Sequence, residues 1–497
     1  MFAQSDVLPA LPILVPFITA IFCILAYQNV RVQKVVSVVG SAAAVVAAVV
    51  MFVTVQSAGV QSLQMSDWDA PFGISIVADP FSVLMELLTA SLGLLVVIFS
   101  LRGVDDRRAR YGYYALVQLL LMGVSGAFIT GDMFNLYVWF EVMLTASFVL
   151  LALGGEKQQI KGALKYVTLN LIASVVFLTS LGVLYGFTGT LNMADLARFM
   201  PSVPPGGALL LAVMFGLTFS IKAGMFPLFF WLPDAYHTPP LAVTTIFSGL
   251  LTKVGVYAMV RVFTLVFAGQ MAVLQTPLLV LAALTMVIGV LGAVAQYDVR
   301  RLLSFHIISQ IGYLLMGLAL FTNESIAALI FFLLHVVAAK SGLFLAAGLV
   351  HRLTGTYDLH KLGGMWKARP WLSLVFVLPA LALAGLPPFS GFWAKLMLVQ
   401  AGLNAGQYWI VAVSLGVSML TLYSMVKIWN ECYWKDAPAG GAGHGVLPLT
   451  QLGPAVGLGV VVTVLGLGVG WVYPSVAMVA EQLLAPAAYI AAVLGGG

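Results

Sequence analysis

Fourteen stretches of this chain are long and apolar enough to cross a lipid bilayer as helices, and they restrict the fold more than any other feature. A spanning helix needs about 20 mostly apolar residues, and inside lipid only helices or closed barrels satisfy their backbone hydrogen bonds. Only 8% of the residues are charged, whereas soluble domains carry about 25%. The chain is therefore predicted to be an all-α polytopic membrane protein. The predicted spans are 6–28, 34–56, 78–101, 112–131, 133–154, 162–188, 207–231, 240–266, 272–296, 301–321, 325–350, 370–402, 407–430 and 450–474.

The basic residues of the connections indicate the orientation of these spans. If the N-terminus is outside, 17 of the 23 Lys and Arg residues fall in inner connections and only Arg198 and Arg261 in outer ones. Inner connections of membrane proteins are enriched in Lys and Arg, so an even number of spans predicts that both termini are outside. The net charge of +5 then reflects topology, and no nucleic-acid partner is expected.

Two predicted spans contain sequences that break a helix. Residues 221–228 read Ile-Lys-Ala-Gly-Met-Phe-Pro-Leu, and residues 384–391 read Ala-Gly-Leu-Pro-Pro-Phe-Ser-Gly. Proline removes a backbone donor and clashes one turn back, and unwound backbone at membrane depth must be buried or line a wet cavity. Each break lies beside a lysine, Lys222 before the first and Lys395 after the second. Paired interrupted helices at corresponding positions are the best sequence indication of a transport site.

The spacing of the breaks also predicts an internal repeat. They fall in the seventh and twelfth spans, so a five-helix unit occurs twice, and the odd helix number inverts the second copy. The predicted segments are helices 1–3 (1–110), a first antiporter repeat of helices 4–8 (111–268), an inverted second repeat of helices 9–13 (269–436), and helix 14 with an interfacial C-terminal tail (437–497).

Ionisable side chains in the middle of apolar spans are the main indication of function. Such a group at the bilayer centre costs at least ~2.5 kcal/mol, so it is rarely present without a use. The alternatives are buried structural ion pairs, satisfied structural histidines and, for one lysine near a span end, snorkelling to the surface. We interpret the set as a polar relay for protons or cations. Its members are Glu141, Lys222, Lys253, His306, His335, Lys340 and Lys395.

Glu141 and Lys222 are the strongest candidates for a proton switch. Glu141 lies about nine residues inside its span, roughly 13 Å deep at 1.5 Å per residue. A carboxylate at that depth is either neutral or paired with a cation, and Lys222 is its natural partner. A Glu–Lys pair that forms and breaks can capture and release a proton. Two further acids stay open: Glu86 between subunit contact and access path, and Asp234 between an inner mouth and a helix cap.

Residue types needed for covalent or redox chemistry are sparse. The chain has 2 Cys and 6 His, without a phosphate loop, a CxxC pair or a metal-ligand motif. Neither a cofactor nor a bound metal is expected, and the chain is not expected to be an enzyme.

These positions resemble the ionisable positions of a known family, the antiporter-like membrane subunits shared by respiratory complex I, membrane-bound hydrogenases and Mrp multisubunit cation/proton antiporters. The similarity covers essentially the whole chain, including both broken helices. Residues 135–147 (Asn-Leu-Tyr-Val-Trp-Phe-Glu-Val-Met-Leu-Thr-Ala-Ser) and 306–313 (His-Ile-Ile-Ser-Gln-Ile-Gly-Tyr) are most similar to the D-type subunits of the Mrp group.

The resemblance implies a subunit that exchanges Na⁺ for H⁺ in a bacterial cell (inner) membrane, within a hetero-oligomer of different chains. In that family Glu141 would pair with Lys222, Lys253 would bridge the two halves, and His335 and Lys340 would continue the relay to Lys395. The alternative is a proton-pumping subunit of a redox complex, of the complex I or membrane-bound hydrogenase type. A third interpretation, a membrane scaffold without ion traffic, predicts that neutralising Glu141 leaves transport unchanged.

Overall fold

The computed structural model describes residues 7–438 and 445–495, and this part of the chain is almost entirely helical. Two short strands, β1 (Gln61–Gln64) and β2 (Ser75–Ala78), form an antiparallel hairpin. The helices are α1 (Leu11–Leu25), α2 (Val30–Ala58), α3 (Pro80–Gly103), α4 (Asp106–Arg110), α5 (Tyr113–Ile129), α6 (Met133–Ala152), α7 (Lys157–Thr188), α8 (Met193–Phe199), α9 (Pro205–Ala223), α10 (Trp231–Tyr236), α11 (Leu241–Ile246), α12 (Thr252–Leu265), α13 (Met271–Val294), α14 (Val299–Leu320), α15 (Asn323–Thr354), α16 (Met365–Ala368), α17 (Pro370–Ala384), α18 (Ser390–Asn404), α19 (Tyr408–Trp429), α20 (Leu449–Leu467), α21 (Val469–Leu484) and α22 (Ala487–Leu494).

Twelve helical segments in the described residues are long and apolar enough to cross a bilayer, against the fourteen predicted spans. The predicted span 112–131 forms α5, which has 17 residues because it begins after Gly112, in the left-handed region at φ 89°, and ends at Ile129, before Thr130 with its extended backbone. The predicted span 370–402 forms two helices, α17 and α18, because the chain unwinds between them. Helices α5 and α17 are apolar and fall short in length alone.

The C-terminal tail forms two helices, and its predicted position at the membrane interface stays a prediction. Helices α21 and α22 meet at 70°, and together they are apolar enough for a thirteenth, bent span. Helix α21 packs against α3, α12 and α15, so the bundle covers much of one side of it. The sequence did not predict this packing because Glu481 made the segment look only moderately apolar, and its side chain is exposed.

The most enclosed helices lie at the centre of the bundle. Helix α15 and the span formed by α11 and α12 are buried along their apolar length, and α14 is nearly so. Helix α15 contacts α11, α14, α17, α18, α20 and α21. The outer helices α1 and α2 leave most of their apolar surface open. Side chains on α12, α14 and α15 are therefore the ones most completely separated from the surroundings.

Both predicted helix breaks are confirmed. Helix α9 ends at Ala223 before Gly224, whose φ is 79°, and α17 ends at Ala384 before Gly385, whose φ is 90°. Glycine adopts this left-handed conformation without a Cβ clash, so it commonly terminates a helix. The last carbonyl groups of α9 and α17 are thereby left inside the bundle.

Matching turns after α7 and α15 support the predicted repeat. Both helices are 32 residues long and end at a threonine that is followed by glycine and a second threonine. In each turn the first threonine hydroxyl donates to the carbonyl of the second threonine and accepts from its amide. In each, the side chain of that second threonine accepts from the amide two residues later. The turns are Thr188-Gly189-Thr190 and Thr354-Gly355-Thr356, 166 residues apart. The inversion of the second unit stays a prediction.

Arg261 lies inside α12 and is buried, whereas the sequence predicted an outer connection. Its guanidinium makes two contacts of 2.7 Å with the carboxylate of Asp79, which is 1% exposed. It also lies 3.1 Å from the hydroxyl of Tyr257, and its centre lies 5.2 Å from the ring of Tyr489. A buried arginine is tolerated because the opposite charge and the aromatic rings compensate for lost water. The contact joins α3, α12 and the C-terminal α22.

Candidate functional site

The structure places all of the predicted site residues within the helical bundle. Six of them are buried, and Glu141 is partly exposed on the outer side of α6. The seven residues lie on six helices: Glu141 on α6, Lys222 on α9, Lys253 on α12, His306 on α14, His335 and Lys340 on α15, and Lys395 on α18.

Glu141 and Lys222 are joined through a serine of α7. The Ser174 hydroxyl donates a hydrogen bond to the Glu141 carboxylate, and Lys222 Nζ donates to Ser174 Oγ at 3.2 Å. Lys222 Nζ also lies 3.4 Å from the carbonyl oxygen of Asn170. Across residues 7–438 and 445–495 no ion pair within 4.0 Å joins Glu141 to Lys222. The predicted direct pair is thus a serine-bridged contact in this structure.

Each broken helix holds a lysine at its carboxyl end. Lys222 is in the last turn of α9, two residues before Gly224. Lys395 comes from α18 and reaches back, so that its Nζ lies 3.0 Å from the carbonyl oxygen of Leu383 and 2.9 Å from that of Ala384. The carboxyl end of a helix carries partial negative charge and unpaired carbonyl groups, which favour a cation. The carbonyl groups at the second break therefore hold the Lys395 ammonium group, whereas the Lys222 ammonium group, beside the first break, contacts α7.

A small cavity adjoins the first of these lysines. Its volume is about 20 Å³, and Lys222, Asn170, Tyr166, Trp231 and Tyr236 line it. A polar site of roughly 10–15 Å³ or more can hold one water molecule. The Lys222 ammonium group consequently has room for a water molecule beside its serine contact.

Lys253 and Lys340 occupy the centre of the bundle. Lys253 Nζ donates at 2.5 Å to the carbonyl of Ser248, which belongs to the π-helical turn Phe247–Leu251 before α12. This turn packs so closely on α15 that a Cβ on Gly249 would lie 2.8 Å from Ser341 Oγ, next to Lys340. Single π-helical turns are frequent at functional sites. The turn brings the acceptor of one lysine against the helix that carries the other.

In the second half of the site, each of the two histidines contacts a serine on another helix. Ser424 Oγ lies 2.6 Å from His306 Nε2, and Ser390 Oγ lies 2.9 Å from His335 Nδ1. In the described residues His306 Nδ1 and His335 Nε2 have no hydrogen-bond partner. Lys340 Nζ contacts the Leu303 carbonyl at 2.5 Å, one turn before His306 on α14. Imidazole rings with a free nitrogen can take up and release protons between these lysines.

The serines of the site were missed by the sequence analysis. Ser174, Ser390, Ser418 and Ser424 each contact an ionisable side chain on another helix, with Ser418 2.7 Å from Lys395 Nζ. Serines are frequent in the apolar spans, and many bond only to their own helix, as Ser180 does to the Val176 carbonyl. The sequence signal therefore exists but does not separate relay serines from ordinary ones.

Asp234 lies apart from the seven predicted site residues, at the edge of an open crevice. Its carboxylate pairs with Lys165 and with Arg301, the latter at 3.5 Å. The crevice has a volume of about 560 Å³ and is otherwise mostly apolar, with Phe229 and Phe230 in its wall. In the described part of the chain no group of three or more His, Cys, Asp and Glu residues could hold a metal ion.

Comparisons with known proteins show which family the whole chain is similar to. Residues 130–421 match a family model described as NADH:quinone oxidoreductase/Mrp antiporter, TM. The chain is 43% identical over 485 residues to the D-type subunit of the Na(+)/H(+) antiporter of Alkalihalophilus pseudofirmus, covering 97% of this chain and 98% of that protein.

Two solved structures share the fold over nearly the whole chain. A chain of the Mrp complex from Dietzia sp. DQ12-45-1b has a TM-score of 0.92 and 33% identity, covering 99% of this chain and 100% of that one. A chain of the membrane-bound sulfane sulfur reductase, an archaeal respiratory membrane complex, has a TM-score of 0.90 and 28% identity, covering 98% and 99%.

Proposed function

Because this chain belongs to the NADH:quinone oxidoreductase/Mrp antiporter transmembrane family, we propose that it is the D-type subunit of a multisubunit Na⁺/H⁺ antiporter. It acts as a secondary transporter within a hetero-oligomer in a bacterial cell membrane, with both termini outside. Support comes from the 43% identity to a D-type antiporter subunit over nearly the whole chain.

A row of seven ionisable side chains, six of them buried and Glu141 partly exposed, is the observation that carries the proposal. It runs from Glu141 on α6 through Ser174 to Lys222, then through Lys253 and Lys340 at the centre to the histidines and Lys395. Hydroxyl, imidazole and amine groups can each accept and release a proton, and buried lysine does so more readily than arginine. We assign proton transfer to this row.

The charge of the row suits protons better than Na⁺. It contains four lysines and one glutamate, so a bare cation inside it would meet mostly positive charge whenever the lysines are protonated. A proton instead binds to the lysines themselves. The Na⁺ path then lies elsewhere, in this chain or in another subunit.

The two predicted repeats explain why broken helices occur in pairs. The matched glycine breaks and the matched Thr-Gly-Thr turns support two related units, residues 111–268 and 269–436. Inverted repeats place equivalent half-sites on opposite sides of a membrane, which is what alternating access requires. In this proposal Lys222 serves the first half and Lys395 the second.

Replacement of Ser174 by alanine is expected to slow proton transport by about tenfold, since a hydrogen bond to a charged group is worth about 1.5–3 kcal/mol. The substitution removes the hydroxyl that joins Glu141 to Lys222 and leaves both charged groups in place. Sodium-driven proton flux in inverted vesicles measures the effect. Ser180→Ala, on the same helix and bonded only within it, should keep wild-type flux. Equal flux in both variants would remove Ser174 from the path.

The second candidate function is proton pumping in a redox complex, favoured by the likeness to a chain of an archaeal respiratory complex. The experiment uses inverted vesicles from cells that express the whole gene cluster and lack other antiporters. With no redox substrate present, addition of Na⁺ should collapse an imposed proton gradient. If Na⁺ has no effect and a proton gradient forms only when a redox substrate is supplied, the antiporter proposal fails and the pumping function replaces it.

A further inference from the structure

Glu86, on α3, is buried outside the lysine row, and no cation of the described residues lies beside it. Its side chain is 1% exposed, and one carboxyl oxygen lies 3.0 Å from the Ser125 hydroxyl of α5. The other oxygen, Oε2, has no hydrogen-bond partner in the described residues. Its own chain encloses the carboxyl group, so the subunit-contact role left open by the sequence does not fit.

An isolated carboxylate in such surroundings is costly. No Lys, Arg or His nitrogen of the described residues lies within 4.0 Å of Glu86. Charges buried without a partner neutralise themselves, and for a carboxylate this means that it binds a proton. The Glu86 carboxyl group, whose Oε2 has no hydrogen-bond partner in the described residues, is therefore expected to hold a proton.

A line of buried polar side chains begins about two turns from Ser125 along α5. Gln118 lies seven residues earlier on this helix, hence on the same face and about 10 Å away. Its Nε2 lies 2.9 Å from Ser37 Oγ and 2.9 Å from Ser41 Oγ on α2, and its Oε1 has no partner in the described residues. All of these side chains are buried.

The same polar line reaches the helix end where α1 stops and α2 begins. Gln33 lies one turn before Ser37 on α2 and is buried. Its Nε2 donates to the carbonyl oxygens of Ala26 at 3.3 Å and Tyr27 at 2.9 Å. Tyr27 is exposed, so the line ends at the surface.

We propose that Glu86 is a second proton-binding site of this chain, reached from the α1–α2 end through Gln33, Ser37, Ser41 and Gln118. The step is simple protonation of a carboxylate, and no other reactant is needed. The site lies on α2, α3 and α5, away from the row that extends from α6 to α18, and does not depend on the proposed function. In the described residues, the other charged and titratable acidic, basic and histidine groups of α3 and the helices packed against it lie at helix ends or in the lysine row: Arg31, Lys34, Asp79, Arg102, Glu324, His335, Lys340, His351, Arg352 and Glu481.

An infrared difference spectrum of the purified whole complex tests the site. Wild type minus Glu86→Gln should show the C=O stretch of a protonated carboxylic acid, and the band should shift in D₂O. Glu481→Gln, which removes an exposed acid on α21, should show no such band. Ser125→Ala keeps the acid and should displace the band without removing it. If the difference between wild type and Glu86→Gln lacks the neutral-acid band, Glu86 is a carboxylate and the proposal is overturned.

The rate of the D₂O shift tests the route. Gln118→Leu should slow the shift by about tenfold, equivalent to about 1.4 kcal/mol on the barrier. Gln28→Leu, an exposed glutamine at the same end of the bundle, should leave the rate unchanged. An unchanged rate in Gln118→Leu would overturn the proposed path even if the neutral acid is present.

Discussion

Sodium-driven proton flux is expected to fall to the background of vesicles without the antiporter when Glu141 is replaced by glutamine. Glutamine keeps the shape of the side chain and can still accept the hydrogen bond from Ser174. It cannot bind a proton or attract the protonated Lys222. The loss would therefore report the missing acid and not a collapsed contact. Flux is measured in inverted vesicles, with assembly of the complex verified in the same membranes.

An acid outside the row provides the matched control for this substitution. Glu324 is exposed in the first turn of α15 and bonds to Asn404. Glu324→Gln removes the same charge from the same chain and should keep wild-type flux. If Glu141→Gln transports as well as Glu324→Gln, the chain is a scaffold at this position and the proton switch is wrong.

The assembled complex is expected to lose about 3–5 kcal/mol of stability when Arg261 is replaced by methionine, because the partner charge stays buried and unpaired. Asp79 is 1% exposed and would lose its partner charge, and the contacts between the guanidinium and the aromatic rings would be lost as well. The temperature at which the complex dissociates in detergent measures the effect. The double variant Arg261→Met with Asp79→Asn should recover most of it, since asparagine carries no charge and still caps α3.

An exposed arginine provides the control that separates loss of the buried ion pair from a general loss of positive charge. Arg198 is exposed on α8, so Arg198→Met should leave the dissociation temperature unchanged. A similar dissociation temperature for the two single variants would show that the buried pair contributes nothing, and the account of how α3, α12 and α22 are joined would fail.

The sequence predicted the helices and breaks well because local physics determines them. Apolar length defines a span, and glycine followed by proline ends one, as at Gly224 and Gly385. The sequence placed Lys253 and Lys340 in the middle of apolar spans, and both are buried in the structure. Their role in transport stays a prediction.

Contacts between distant segments could not be predicted in this way. Arg261 and Asp79 are 182 residues apart, and a position near a span end gave no sign of their pairing. Ser174 looked like any serine in an apolar helix, because its partners come from α6 and α9. The Thr-Gly-Thr turns were visible in the sequence, but three small residues are too common to indicate a repeat without their hydrogen bonds.

The central claim is that one row of ionisable groups, buried except at Glu141, carries protons across this chain. The most direct measurement is sodium-driven proton flux in vesicles that carry Lys340→Met, in the middle of the row, beside vesicles that carry Lys361→Met, an exposed lysine 74% open to solvent. With both complexes assembled, we expect flux to be lost in the first variant and unchanged in the second. Wild-type flux in Lys340→Met would contradict the claim, because protons would then cross without the row.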